Sequence, residues 1–165
     1  MNMAEYGVLD KLYLIRSNKT MKKVMIIILG ISLFAEADFS RNDSKGIVTD
    51  SITGFQWQDD YRPNNPVIKK TTWAGAIDYC NDLVLGGYSD WRLPNINELL
   101  TIISFGKKDP CISNEFVYIK HDGYWSSTNA VRYESGGGGW VIYFDSGFQT
   151  DDEKYMDRYV RCVRD

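Results

Sequence analysis

The sequence predicts an α+β domain over residues 46–165: two helices packed on antiparallel strands, with the helices on one side of the sheet. Three observations point there. Apolar residues recur at three- and four-residue spacing in two stretches, at 72–84 and 95–103. Short β-prone runs precede the first helix around residues 47–58. After Gly106 the chain turns to strand-forming segments separated by Gly and Asx turns.

The first 37 residues read as an address. Met21-Lys22-Lys23 precedes Val24–Phe34, which is apolar except for Gly30 and Ser32, and Ala35-Glu36-Ala37 closes the run. Charge, short apolar block and A-x-A site form a secretory signal peptide over 21–37, with cleavage expected after Ala37. The apolar block is too short to span the ~30 Å of bilayer hydrocarbon. Residues 1–20 lack sustained apolar periodicity and are expected to be an upstream extension, with Met21 as the start. Residues 38–45 are polar and expected to form a flexible N-terminus.

Ile47-Val48-Thr49-Asp50 and Phe55-Gln56-Trp57-Gln58 read as strands around the turn Ser51-Ile52-Thr53-Gly54. Residues 59–70, with Pro63 and Pro66, form a loop. Thr72 is positioned as an N-cap; Trp73, Ala76, Ile77, Cys80, Leu83 and Val84 make the buried stripe, and Gly86-Gly87 ends the helix. The second helix begins at Asn95, which with Glu98 makes a capping-box pair, and presents Ile96, Leu99, Leu100 and Ile103. Tyr124–Thr128 and Trp140–Phe144 are strands, Asp145-Ser146-Gly147 a turn, and Tyr159–Arg164 a final strand.

Residues 38–165 hold 14 Lys and Arg against 19 Asp and Glu, a charge of −5. Nucleic-acid binding needs a concentrated basic surface, so no nucleic-acid partner is expected. Cys80, Cys111 and Cys162 permit one intramolecular bridge and one remaining thiol, and their spacing leaves the pairing open. There is no C-x-x-C, and His121 is the single histidine, so neither a metal site nor a cofactor is indicated.

Several segments in order carry a family resemblance: T-G-F-Q-W from Thr53, T-W-A-G-A-I-D-Y-C from Thr72, and G-G-Y-S-D-W-R-L-P-N-I-N-E-L from Gly86. Y-W-S-S-T from Tyr124, W-V-I-Y-F from Trp140 and Y-V-R-C-V-R from Tyr159 complete the set. Together they resemble the C-terminal domain of Legionella collagen-like adhesins, over roughly residues 46–165. The resemblance implies a C-type-lectin-like architecture, similar also to the formylglycine-generating enzyme domain. It implies a bridge between Cys80 on the first helix and Cys162 on the last strand, leaving Cys111 as an odd thiol in a loop, free or paired with another chain. It further implies a non-catalytic, exported binding module that contacts glycan or an extracellular protein. A structural or assembly subunit of the cell envelope, homotrimeric as the adhesin domain is, is one alternative; an enzyme like the formylglycine-generating enzymes, which hold copper with a cysteine pair, is the other. The collagen G-x-y repeats are missing, and the charge of −5 weighs against a polyanionic ligand.

Other motifs have plain readings. In Ser89–Pro94, strand alternation sends Trp91 and Leu93 into the core while Asp90 and Arg92 pair nearby. A serine nucleophile in Tyr124–Thr128 would need a base in reach and a group to orient it; His121, three residues upstream of the strand, reads as a loop residue. Asp145, Asp151, Asp152, Glu153 and Asp157 lack EF-hand spacing and read as a solvated acidic loop. Gly136–Gly139 is not followed by Lys-Ser/Thr and a helix, so it is a hairpin rim and not a phosphate loop. The ligand-binding surface is therefore expected on residues 129–139 and 145–157, with Arg132, Tyr133, Asp151 and Asp152 as contact residues and Trp125 and Trp140 in the core beneath.

Overall fold

The computed structural model describes residues 38–62, 67–131 and 137–165. Nine strands and two helices occur among them, in two sheets. The first sheet joins β1 (Phe39–Asn42), β2 (Ile47–Asp50), β3 (Gln56–Gln58) and β9 (Val163–Arg164) in the order β1-β2-β3-β9, all antiparallel. The second joins β4 (Lys70–Thr71), β8 (Arg158–Tyr159), β5 (Gly123–Ala130), β6 (Gly138–Tyr143) and β7 (Gln149–Glu153) in the order β4-β8-β5-β6-β7. Its pairs are antiparallel except β5 with β8, which is parallel. The helices are α1 (Trp73–Asn81) and α2 (Ile96–Thr101).

Residues 38–45, expected to be flexible, instead contain β1, which pairs with β2 from Phe39↔Asp50 to Asn42↔Ile47. The polar composition hid an anchor. Phe39 packs edge-on to Phe116, and Arg41 reaches inward to the Asp59 carboxylate.

The two helices do not share one side of the sheet. Tyr124 and Ile142, cross-strand partners on β5 and β6, pack in one core with Leu99 and Ile102; their neighbours Trp125 and Val141 pack in another with Ala76 and Cys80. Adjacent strand residues face opposite ways, so α1 and α2 cover opposite faces of the five-stranded sheet. The same division runs through the first sheet, where Ile47 joins the α1 core and Val48 and Val163 the α2 core; Cys162, just before β9, joins the α1 core.

The caps follow the sequence. Thr72 accepts from the Gly75 N–H, and Asn95 and Glu98 form the reciprocal capping box. α1 stops at Asn81, sooner than the apolar spacing predicts, so Leu83 stays buried while Val84 stands 67% exposed. The last strand is also divided, with β8 in one sheet and β9 in the other. Gly138 and Gly139 belong to β6 and not to a loose rim; Gly136 lies outside the described residues. Residues 149–153, expected as acidic loop, form the edge strand β7. Gln-Thr-Asp-Asp-Glu is poor in β-formers, but carboxylates on a sheet edge discourage further pairing.

Cys80 and Cys162 are bridged across 82 residues, with Cα atoms 5.5 Å apart. Closing a loop of that length stabilises the fold by about 4 kcal/mol in the chain-entropy account. Cys111 is the remaining thiol, free and in a loop. It is buried, and its Sγ donates toward the carbonyls of Lys107 and Asp145 at 3.2 and 3.5 Å.

A charged network absent from the sequence reading ties the ends of the domain together. Asp59 and Arg161 are fully buried and paired at 2.9 Å. Asp59 also accepts from the backbone N–H groups of Val117 and Tyr118, and Arg161 donates to the carbonyls of Gln58 and Tyr118. The Arg161 guanidinium lies 4.7 Å from the Phe116 ring centroid. Each charge is thus both paired and hydrogen-bonded, the condition under which a buried ion is tolerated.

Candidate functional site

Of the four expected contact residues, Arg132 and Tyr133 lie outside the described residues. Asp151 and Asp152 lie on β7 opposite Trp140 and Gly139 respectively. Strand alternation therefore sends their side chains to opposite faces of the sheet, so they do not act as a pair. Asp152 is occupied by an ion pair with Arg158, both side chains largely buried. Burial opposes the charge of Arg158, but the hydrogen bond and charge of Asp152 outweigh it and raise the guanidinium pKa. Trp125 belongs to the core, as expected; Trp140 is only half-buried.

On the α1 face, the same corner of the sheet carries Trp73, expected on the buried stripe and found half-buried at the margin of the α1 core. Trp73 opens α1, and its backbone N–H donates to the Lys154 carbonyl just beyond β7. Its indole N–H donates to the Ser126 carbonyl at 2.8 Å. The ring packs closely against β6 because residue 139 is glycine: a Cβ there would meet Trp73 Cδ1 at 2.6 Å and the Trp125 ring at 3.0 Å. Lys154 crosses the half-buried indole, its Nζ 4.0 Å from the ring centroid, and donates to Asn129 Oδ1 at 2.7 Å. An aromatic ring at the start of α1, an ammonium from the turn after β7 and a side-chain amide on β5 thus meet beside the ends of β5 and β6 that lead into residues 132–136. Such a set offers stacking area and both donors and acceptors to a ligand.

The hydroxyl-rich strand is used structurally. A register shift between Trp125 and Asn129 bulges β5. Within it the buried Ser126 hydroxyl donates to the Trp140 carbonyl, the Ser127 N–H to the Pro94 carbonyl, and Thr128 Oγ1 accepts from the Ile96 N–H at the start of α2. His121 is exposed and placed 2.6 Å from Asp109. In the Ser89–Pro94 segment, Trp91 and Leu93 are buried, Arg92 holds Glu98 in a two-point ion pair, and Asp90 holds Arg164. Among the described residues no three His, Cys, Asp or Glu side chains gather to hold a metal ion, and no helix is long and apolar enough to cross a membrane.

Fold and site together define a disulfide-closed α+β domain with a partly exposed aromatic corner fixed by its own backbone. Residues 46–164 match the Lcl C-terminal domain, and the chain belongs to that family, the C-terminal domains of Legionella collagen-like proteins. No match was found among curated proteins.

Proposed function

We propose that the protein is an exported, non-catalytic, adhesin-like binding module of C-type-lectin-like architecture, and that the Trp73–Lys154–Asn129 corner contacts an extracellular polymer, glycan foremost. The observation that carries this reading is the half-buried Trp73 ring held in place by Gly139 and Ser126 within an Lcl C-terminal domain. A rigid aromatic binds at little entropic cost because it has few rotamers to lose. The lysine, apolar and A-x-A blocks of residues 21–37 support export, as does the generally extracellular setting of this family. Against a serine nucleophile at Ser126 stands its hydroxyl, buried and committed to a backbone carbonyl.

An array of neutral and sulfated polysaccharides probed with the full chain tests the reading. Neutral polymers should be retained by the wild type and lost by the Lys154→Ala, Asn129→Ala double variant, with the melting temperature unchanged. Equal retention of both proteins would move the site elsewhere.

The second reading, a homo-oligomeric assembly subunit, is favoured by large apolar side chains left in solvent, Phe105 at 82% exposure and Phe148 at 62%. Analytical ultracentrifugation separates the two: a stable trimer without polymer retention supports assembly.

A further inference from the structure

A second concave surface lies along the outer side of α1, away from the Trp73 ring. Gly75, Tyr79 and Asp82 fall on one helical stripe and face Lys69 and Thr71 at β4, enclosing an open cleft of about 460 Å³. That volume is within the range of small-molecule sites, about 300–1,000 Å³. The wall is built to stay in place. The Tyr79 hydroxyl accepts from the side-chain amide of the fully buried Gln58 at 2.7 Å, and Gln58 in turn accepts from the Cys162 N–H beside the disulfide. The Lys69 carbonyl is held by the Val160 N–H. Gly75 lets helix and strand close on each other, since a Cβ there would meet Thr71 Oγ1 at 2.5 Å.

The lining chemistry selects a ligand class. One cation, Lys69, and one anion, Asp82, balance each other, so a ligand of either charge gains one partner and meets one like charge. An uncharged molecule rich in hydroxyls gains from both: it accepts from the ammonium and donates to the carboxylate, each a charge-assisted hydrogen bond. The Lys69 ammonium lies 5.9 Å from the Tyr79 ring centroid, so ring and donor are within reach of one small ligand. The ring and the exposed Val84 give an apolar wall for the C–H face of a sugar. We propose that this cleft binds a single uncharged pyranose. The site is separate from the Trp73 corner and does not depend on the reading proposed for it.

Methyl glucoside, methyl galactoside and N-acetylglucosamine, with glucosamine and glucuronate beside them, are titrated singly into the isotope-labelled full chain and followed by amide NMR. At least one neutral sugar should shift the amides of Thr71, Gly75 and Leu83 saturably, with half-saturation at about 1–10 mM. Asp82→Ala and Lys69→Ala, both at exposed positions, should each weaken that response about tenfold without altering the remaining spectrum. The proposal is overturned if no neutral sugar saturates the cleft, or if glucosamine or glucuronate binds it more tightly. It is also overturned if the shifts centre on Trp73 and Lys154, an outcome that leaves the corner's own role standing.

Discussion

Arg161 and Asp59 pair at 2.9 Å with both side chains fully removed from solvent, joining the segment before β9 to the end of β3. Removing one member strands the other in a low-dielectric interior. Asp59→Ala should therefore destabilise the domain by about 3–5 kcal/mol, measured by urea unfolding. A loss below about 1 kcal/mol would show that water reaches the pair.

The disulfide predicts a divided thiol chemistry. Cys80→Ala should cost about 2–5 kcal/mol. Cys111, buried against the Lys107 and Asp145 carbonyls, should resist alkylation until denaturant is added. Mass spectrometry before and after unfolding reads both the bridge and the thiol.

Gly139→Ala should destabilise by about 1–3 kcal/mol, because the new methyl group overlaps Trp73 and Trp125. Tryptophan fluorescence should shift with it as the Trp73 ring lifts from β6. Unchanged emission and stability would contradict the packing described.

Acid should loosen the domain's C-terminal end. The Arg164 guanidinium lowers the pKa of Asp90; hydrogen bonds from Arg62 lower that of Asp60 against the cost of its burial. Burial raises Asp122, but the Gly123 N–H and the Lys70 ammonium outweigh it and leave that carboxyl lowered too. A depressed carboxyl contributes stability above its unfolded value near ~3.9, and the contribution is lost as pH falls through the folded value. The melting temperature should hold at neutral pH and decline below about pH 4, with a shallower decline in Asp90→Asn.

Those elements whose signals are local were legible in the sequence. Thr72, and Asn95 with Glu98, are caps decided within three residues, and Trp91 with Leu93 follow simple alternation. The Cys80–Cys162 pairing came with the family resemblance, and spacing alone left it open. What the sequence concealed depends on distant partners. Arg41 in β1 looks like a polar tail until Asp59 meets it, and β7 is a strand because β6 offers a ladder to Gln149–Glu153. Asp151 and Asp152, expected side by side in a loop, are made by β7 into consecutive strand residues that face apart; Trp73, apolar and on the helical stripe, gave no sign that it would be only half-buried.

The proposed ligand site is the Trp73 corner. Surface plasmon resonance of the full chain over an immobilised neutral polysaccharide retained on the array measures it directly. Lys154→Ala with Asn129→Ala should weaken binding by at least about 1 kcal/mol, roughly fivefold or more, while the melting temperature stays at the wild-type value. Wild-type affinity in the double variant would contradict the claim.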